Sequence, residues 1–271
     1  MRVMTWNINS VRLRHDLVRR AIEALAPDIV CLQETKTPDE LFPADAFRAC
    51  GFAHMHVHGM KGYNGVAILS RTPFTATRNW DRVGKSDCRH AAVEIAIKNA
   101  RKPLHIHNLY VPAGGDIPDV QMNEKFAHKL AFVDETAAFF KQSYARTDAL
   151  IALGDFNIAP LEHDVWSHRQ LLDVVSHTPV EVEKLGAMQA SLGFVDAIRS
   201  FVPADQKLYT WWSYRNRDWK ASNRGRRLDH VWVTPALKNV LRDHTILKDA
   251  RDWQQTSDHV PVLLDLDLDA A

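Results

Sequence analysis

The chain has 271 residues, of which 46% are hydrophobic and 25% are charged, an ordinary composition for a globular protein. Its formal net charge of +1 excludes a general polyanion binder, so any attraction to nucleic acid must come from a local patch. Three cysteines without a C-x-x-C spacing argue against a disulfide framework, and no apolar run approaches the roughly 20 residues that span a bilayer. We therefore expect a cytoplasmic protein that does not enter a membrane.

The first half of the sequence combines strand-like runs with one amphipathic helix. Apolar runs bounded by turn residues predict strands at 3–8, 28–33, 54–58, 66–70, 91–97 and 104–111. Apolar residues recur at helical spacing from Val11 to Leu25, which predicts a helix over 11–26 that ends near Pro27. Asn9 and Ser10 precede this helix and are its candidate N-caps.

The second half begins with a long amphipathic helix predicted at 122–145, whose apolar stripe should pack on a sheet. A strand follows at 149–154, then helical stretches near 162–173 and 181–192, and strands near 229–234 and 260–266. Early strands alternate with helices whereas later strands often follow one another, which favours an α/β fold with mixed sheets. No linker or low-complexity segment divides the sequence, so residues 1–271 are predicted to form a single domain.

Polar side chains stand at the ends of six strand-like runs. Asp155 and Asn157 follow the apolar run 149–153. Because they are two residues apart on a chain expected to be extended, they should point to one side and share a target. The other five tips are Trp6-Asn7, Gln33-Glu34, Asn108-Leu109-Tyr110, Leu228-Asp229-His230 and Ser257-Asp258-His259. Together they predict one polar pocket on the rim of a sheet.

The acids at these tips suit a hard divalent cation such as Mg²⁺ or Mn²⁺, since such ions prefer oxygen ligands. They are Glu34, Asp155, Asp229 and Asp258. Hydrolysis of a phosphodiester requires a positioned water, a base and positive charge against the developing oxyanion, which such a pocket can supply. If Asp229 accepts a hydrogen bond from one ring nitrogen of His259, it fixes the tautomer and aims the other nitrogen.

Each of these residues also has an ordinary structural alternative. A single acid is most often a helix cap or a member of a surface ion pair. His259 could cap a Ser-Asp-His turn, and Tyr110 could be an aromatic residue on the face of a strand. The functional interpretation depends on several such residues occurring together at strand ends.

The segment 209–227 is both basic and aromatic. Its cations Arg215, Arg217, Lys220, Arg224, Arg226 and Arg227 are interleaved with Trp211, Trp212, Tyr214 and Trp219. Cations beside aromatic rings are the groups that bind a phosphate backbone and unstacked sugars or bases. A solvated charged face is the plain alternative, but the aromatic residues and the adjacent Asp229 favour contact with nucleic acid.

Six sequence motifs, in order along nearly the whole chain, resemble those of the exonuclease III-type apurinic/apyrimidinic (abasic) DNA endonucleases. They are WNINSVR at 6–12, LQETK at 32–36, NLYVP at 108–112, GDFNIAP at 154–160, RLDH at 227–230 and SDHVPV at 257–262. The resemblance implies a DNase I-like fold, a four-layered α/β sandwich with two facing mixed sheets and helices outside. It also implies Mg²⁺-dependent cleavage of double-stranded DNA 5′ to abasic sites, with 3′-to-5′ exonuclease and 3′-phosphatase activities. Mn²⁺ is expected to substitute for Mg²⁺, and the protein is expected to be a monomer.

The resemblance also implies roles for residues that match the family's motifs. The expected metal ligands are Asn7, Glu34, Asp155, Asn157, Asp258 and His259. The expected catalytic residues are Tyr110, Asp155, Asn157, Asp229 and His259, with Tyr110 contacting the phosphate and Asp229 orienting His259. Either Asp155 or His259 could be the base. The expected substrate contacts are Trp211, Trp212, Arg224, Arg226 and Leu228.

Two other functions use the same residues. The first is hydrolysis of a small or lipid phosphate by the same chemistry, although such a substrate does not need an extended cationic and aromatic segment. The second is a DNA-binding module without catalysis, which should have lost some of the polar site residues, whereas none is missing here. Cleavage of an abasic duplex, and competition between duplex DNA and a small phosphate ester, separate the three.

Overall fold

The computed structural model describes residues 1–216 and 218–271. The strands of this part are, in order, β1 (Arg2–Asn7), β2 (Ile29–Gln33), β3 (His54–His58), β4 (Val66–Ser70), β5 (Ala76–Asn79), β6 (His90–Ile95), β7 (Leu104–Tyr110), β8 (Leu150–Asp155), β9 (Val195–Asp196), β10 (Trp211–Trp212), β11 (Gly225–Arg226), β12 (Asp229–Val233), β13 (Leu241–Ile246) and β14 (Val262–Leu266). Its α-helices are α1 (Val11–Leu25), α2 (Ala44–Arg48), α3 (Glu124–Ser143), α4 (His168–Leu171), α5 (Pro179–Ala190) and α6 (Trp219–Ser222).

Twelve of the strands form two six-stranded mixed sheets. The first has the order β13-β14-β1-β2-β4-β3 and the second has the order β5-β6-β7-β8-β12-β9. Each sheet contains one parallel pair, β1 with β2 and β7 with β8, and its other neighbours are antiparallel. Helix α1 connects the first parallel pair and α3 connects the second, since a parallel connection needs a long crossover. The prediction of mixed sheets is confirmed.

The two sheets face each other across an apolar core, and helices cover their outer faces. Val3, Ile68, Ile106 and Ile151 lie between the sheets and are fully buried. Alternate residues of the same strands pack outward, against α1 on the first sheet and against α3 and α5 on the second. Each such buried aliphatic side chain contributes about 1.5–3 kcal/mol. The layers are therefore helix, sheet, sheet and helix, which confirms the predicted four-layered sandwich.

The start of α1 differs from the prediction. Neither candidate cap accepts a side-chain hydrogen bond from the helix, and Ser10 occupies the N-cap position with a φ of 85°. The backbone N–H groups of Ser10 and Val11 instead donate to the carbonyls of Glu34 (2.7 Å) and Thr35 (3.1 Å). Because the loop after β2 satisfies the first amides of α1, it fixes Glu34 next to the end of β1.

Several short or polar elements were not predicted. The predicted helix at 162–173 is only a 3₁₀ turn, Glu162–Asp164, followed by the single turn of α4. Strands β5 and β13 are largely polar, and β9, β10 and β11 have two residues each, so none shows the alternation of a half-buried strand. Among residues 1–216 and 218–271, no helix combines the length and apolar character that crossing a membrane requires.

Candidate active site

The polar strand ends meet at one edge of the gap between the sheets. Asn7 lies on the same face of β1 as Val3, because side chains two and four residues apart share a face, and that face is the inner one. The same alternation turns Asp155, the last residue of β8, and Asp229, the first residue of β12, toward the inner face of the sheet. The two residues are directly paired across the neighbouring strands. Tyr110, at the end of β7, is paired with Asp155 from the other side.

Asp155 and Asn157 come together through a turn, not through the extended strand that the sequence suggested. Asp155 is the last residue of β8 and is fully buried. Asn157 has a φ of 53°, in the left-handed region that asparagine tolerates. Its backbone N–H donates to Asp155 Oδ1 (2.9 Å) and its Nδ2 donates to Asp155 Oδ2 (3.1 Å). The turn therefore closes on the carboxylate and holds it in place.

His259 lies between two buried carboxylates. Its Nδ1 is 2.8 Å from Asp229 Oδ2, and its Nε2 is 3.7 Å from Asp155 Oδ2. Burial lowers the pKa of His259, but the charges of Asp229 and Asp155 outweigh burial and raise that pKa above its ordinary value. Burial raises the pKa of Asp155, and Asp229 raises it further against the opposing charge of His259. The proton on Nδ1 is thus directed to Asp229, and Nε2 faces Asp155.

Asn7 bridges this group to Glu34. Its Nδ2 donates to Asp155 Oδ2 (2.9 Å) and to Glu34 Oε1 (3.0 Å). Glu34 also accepts from the Tyr110 hydroxyl at 2.8 Å and pairs with Lys36 Nζ at 2.8 Å. Burial acts to raise the pKa of Glu34, but the charge of Lys36 and the hydrogen bonds hold that pKa below its ordinary value. Glu34 is therefore a carboxylate at neutral pH.

Gln33 and Asn108 lie behind the site instead of in it. Gln33 Nε2 donates to Asn108 Oδ1 at 2.6 Å and to Thr5 Oγ1 at 2.9 Å. Asn108 Nδ2 donates to the carbonyls of Leu32 and Ala67, each at 3.0 Å. These two strand-end residues therefore join the two sheets directly beneath the acids.

A cavity of about 970 Å³ opens above the acids. Glu34, Asn157, Asp258 and His259 form part of its lining. The remaining wall includes three arginines and two tryptophans among small, polar and apolar residues; they are Arg215, Arg224, Arg226, Trp166 and Trp211. Two guanidinium groups stack on indole rings, with the Cζ of Arg224 4.7 Å from the Trp166 ring centre and that of Arg226 5.3 Å from the Trp211 ring centre.

The model of the Endonuclease/Exonuclease/phosphatase family matches residues 4–259 of this chain. The chain belongs to this family. Exodeoxyribonuclease III of Haemophilus influenzae is 26% identical over 268 residues, a match that covers 97% of this chain and 98% of that protein. These matches confirm the predicted family resemblance. They also confirm the prediction that the protein is a hydrolase of the DNA-repair nuclease type.

Two solved structures of similar proteins agree with the fold. An AP endonuclease from Archaeoglobus fulgidus matches with a TM-score of 0.89 and 28% identity, covering 98% of this chain and 99% of that one. The 3′ phosphatase NExo from Neisseria, bound to a product DNA hairpin, matches with a TM-score of 0.87 and 29% identity, covering 98% and 99%. The DNase I-like architecture predicted for this family member is therefore confirmed.

The donor atoms at the site fit a hard divalent cation. Asp155, Asp229 and His259 each offer a ligand atom, and these atoms lie within 4.8 Å of one another. Asp229 Oδ1 is buried and has no hydrogen-bond partner among the described residues, which leaves an acceptor free for a cation or a donor. Asn7 turns its Nδ2, not its oxygen, toward the carboxylates, and its Oδ1 accepts from the Asn9 N–H (3.1 Å).

The prediction that the cations and aromatic residues of the segment 209–227 contact nucleic acid is partly wrong. Trp212 is only 1% exposed and packs with Tyr209 and Val260, so it lies in the core and not on the cavity. Its indole N–H donates to Asn223 Oδ1 at 3.1 Å. Arg227, also 1% exposed, is held by Asp164 (2.8 Å) and Asp196 (2.6 Å). Arg217 lies outside the described residues.

The other expected substrate contacts, Trp211, Arg224, Arg226 and Leu228, line the cavity. Trp166, Val174, Val175 and Ser176, which the motifs did not indicate, line it as well. Trp166, Val174 and Trp211 pack against the apolar cluster that contains Leu228. The Arg226 guanidinium donates to Ser176 Oγ (2.7 Å) and to the Val175 carbonyl (3.1 Å).

Proposed function

We propose that this family member is a divalent-metal-dependent DNA-repair phosphodiesterase that cleaves double-stranded DNA 5′ to abasic sites. We further propose that it removes nucleotides and phosphates from 3′ ends. The observation that carries the proposal is the chain of Asp155, His259 and Asp229, in which His259 lines a cavity whose wall includes arginine and tryptophan. The names of similar proteins, which include an AP endonuclease and a 3′ phosphatase bound to product DNA, support this substrate class.

The proposed metal ligands are Asn7, Glu34, Asp155, Asn157 and Asp258. His259, which the motifs also suggested as a ligand, is assigned to the phosphoryl oxygen instead, because a ring that donates from both nitrogens cannot bind a cation. Mg²⁺ is the proposed ion, with Mn²⁺ able to replace it, because the available donors are mainly carboxylate and amide oxygens. When bound, the cation supplies positive charge against the charge that develops on the phosphoryl oxygens.

Asp155 is proposed as the base that takes a proton from the attacking water, and His259 as a donor to a phosphoryl oxygen. The flanking carboxylates raise the pKa of His259, so its ring carries two protons at neutral pH and can donate but not accept. The raised pKa of Asp155 brings its proton affinity closer to neutral pH, which suits a general base. Asp229 positions the ring through Nδ1, and Asn157 holds the carboxylate of Asp155.

Substrate contacts are proposed for the cavity wall. Tyr110 is assigned to the phosphate, since its hydroxyl already lies 2.8 Å from Glu34 Oε1 at the edge of the site. Trp211 and Leu228 are assigned to the sugar, and Arg224 and Arg226 to the DNA backbone. The proposal includes residues 1–271 acting as one domain, as a monomer in the cytoplasm.

The test is a 5′-labelled duplex that contains a single abasic analogue, incubated with Mg²⁺ or with EDTA. In Mg²⁺ we expect an early product that ends on the 5′ side of the analogue, followed by shorter products as 3′ ends are degraded. No product is expected in EDTA or with Asp155→Asn. The same duplex without the analogue is the control for site selectivity. A mobility shift without cleavage would support the DNA-binding module, whereas hydrolysis of a small phosphate ester that duplex DNA does not inhibit would support the small-substrate hydrolase.

A further inference from the structure

A buried ion pair lies beneath the cavity and outside the set of proposed catalytic residues. Lys129 on α3 and Glu181 on α5 have fully buried side chains, and their Nζ and Oε1 atoms are 2.5 Å apart. Removing two charges from water is costly, and an apolar pair of similar volume often gives equal or greater stability. Stability alone is therefore a weak explanation for this pair, and its hydrogen bonds indicate another.

The pair holds three segments that form the cavity. Lys129 Nζ donates to the carbonyls of Asn157 (2.8 Å) and Ala113 (3.2 Å). Glu181 accepts from the backbone N–H of Ser176 through both carboxylate oxygens, at 3.0 and 2.9 Å. Ala113, Asn157 and Ser176 all line the cavity. One ion pair thus connects the loops after β7 and β8 with the loop before α5.

The contact with Asn157 is the most direct link to the proposed chemistry. Asn157 has left-handed backbone, so the direction of its carbonyl is coupled to the turn that places its side chain. That side chain donates to Asp155 Oδ2 (3.1 Å) and to the Val111 carbonyl (2.9 Å). Lys129 holds the carbonyl of the same residue from below. Displacement of a reacting group by about 1 Å can reduce turnover about a hundredfold.

The packing leaves the neighbouring loop little freedom to move away from Lys129. A Cβ atom added to Gly114 would lie 2.8 Å from Lys129 Cδ and 3.0 Å from Val175 Cγ1. Gly114 also has a φ of 89°, which only glycine adopts readily. The loop after β7 therefore rests directly on the lysine side chain.

We propose that Lys129 and Glu181 form a positioning pair for Asp155 and Asn157. The pair does not contact the substrate. It fixes the Asn157 turn and the two cavity loops, so that the carboxylate of Asp155 keeps its orientation toward the attacking water. This inference rests on the proposed function, because it takes Asp155 as the group that acts on water.

The test compares the double variant Lys129→Met/Glu181→Gln with the wild-type enzyme. Both charges are removed together, because a single change would leave the other charge buried without a partner. We expect kcat to fall at least tenfold, with KM within about twofold and with a cooperative unfolding transition retained. Lys184→Met is the matched control, since Lys184 and Asp134 also join α5 to α3 (2.5 Å) but on the surface.

A second measurement distinguishes positioning from general loosening of the fold. If the pair acts through Asn157, the double variant should change kcat much less in an Asn157→Ala background than in the wild type. A kcat within twofold of the wild type, or an effect of equal size in both backgrounds, would overturn the proposal.

Abasic duplex, a duplex with a 3′-phosphate and thymidine 5′-p-nitrophenyl phosphate are assayed in parallel. If the wild type acts on neither duplex but cleaves the small ester, the proposed function is rejected. The variant-to-wild-type ratio on the small ester would still decide the role of the pair.

Discussion

The two arginines at 224 and 227 should differ sharply when each is replaced by methionine, although they lie three residues apart. Arg227 is buried between Asp164 and Asp196, whereas Arg224 is exposed and stacks on Trp166. Arg227→Met removes the guanidinium that pairs with Asp196 and leaves Asp164 with Arg199 (2.6 Å) alone, and breaking a buried ion pair from one side costs about 3–5 kcal/mol. In a chain of this size each kcal/mol lowers Tm by about 2–4 °C, so we expect a decrease of about 6–20 °C.

Arg224→Met should have the opposite pattern. An exposed substitution usually changes stability by less than about 0.5 kcal/mol, so Tm should stay nearly constant. If Arg224 contacts a DNA phosphate, the slope of log K against log salt concentration should become shallower by about 0.9.

Thermal unfolding and binding to a duplex over a series of salt concentrations measure both effects. The Arg227→Met protein is assayed for binding at a temperature where it is folded, and its salt slope should match the wild type. A Tm decrease of less than about 2 °C for Arg227→Met would refute the structural role. A slope change in that variant equal to the change in Arg224→Met would show that the buried arginine contacts DNA.

Three other predictions concern pH and metal. Asp229→Asn replaces a charge-assisted hydrogen bond to His259 by a neutral one. The pKa of His259 should therefore fall by about one unit, equivalent to about 1.4 kcal/mol. The loss of kcat on the alkaline side of the pH profile should then begin at a lower pH than in the wild type. Glu34→Ala should raise the Mg²⁺ concentration for half-maximal cleavage about tenfold or more, which a metal titration measures; an unchanged midpoint would remove Glu34 from the ligands. Burial acts to raise the pKa of Asp196, but the charge of Arg227 outweighs burial and lowers that pKa in the folded protein. The pair therefore stabilises the fold fully above the unfolded pKa of about 3.9, and this stabilisation is lost as the pH falls through the lower pKa of the folded state. Acid titrations of unfolding should therefore be less steep in Arg227→Met than in the wild type.

The convergence of the acids was predictable because it depends on local patterns. In β1 the inner face runs Val3, Thr5, Asn7, and in β8 the residues Ile151, Leu153 and Asp155 repeat this order. A polar residue at the end of such a run must lie at the edge of the core, because alternation leaves it no other direction. The turn at Asn157 was misjudged, since left-handed backbone gives no periodic signal.

Features that depend on distant partners could not be predicted in the same way. Arg227 resembles its exposed neighbours in sequence, and its burial depends on Asp164 and Asp196, which are 63 and 31 residues away. Trp212 is buried against Tyr209 and Val260, and its strand β10 has only two residues and therefore no periodicity to detect. Lys129 lies next to the apolar stripe of α3 and looks like part of a solvated helix face until Glu181 on α5 is placed beside it.

The charges at the site explain how a chain with a net charge of +1 can act on DNA. Four carboxylates lie at or just beneath the floor of the cavity, from Glu34, Asp155, Asp229 and Asp258. Lys36 is 2.8 Å from Glu34, and the His259 ring is 2.8 Å from Asp229 and 3.7 Å from Asp155, so two cations face the four carboxylates. The negative charge that remains would repel a phosphodiester, and a divalent cation would supply the charge that offsets it. The arginines of the wall line the same cavity, and under the proposed function they would attract the DNA backbone without pairing with these acids. A local separation of charge, and not a basic surface overall, is therefore what makes the site suited to a phosphodiester.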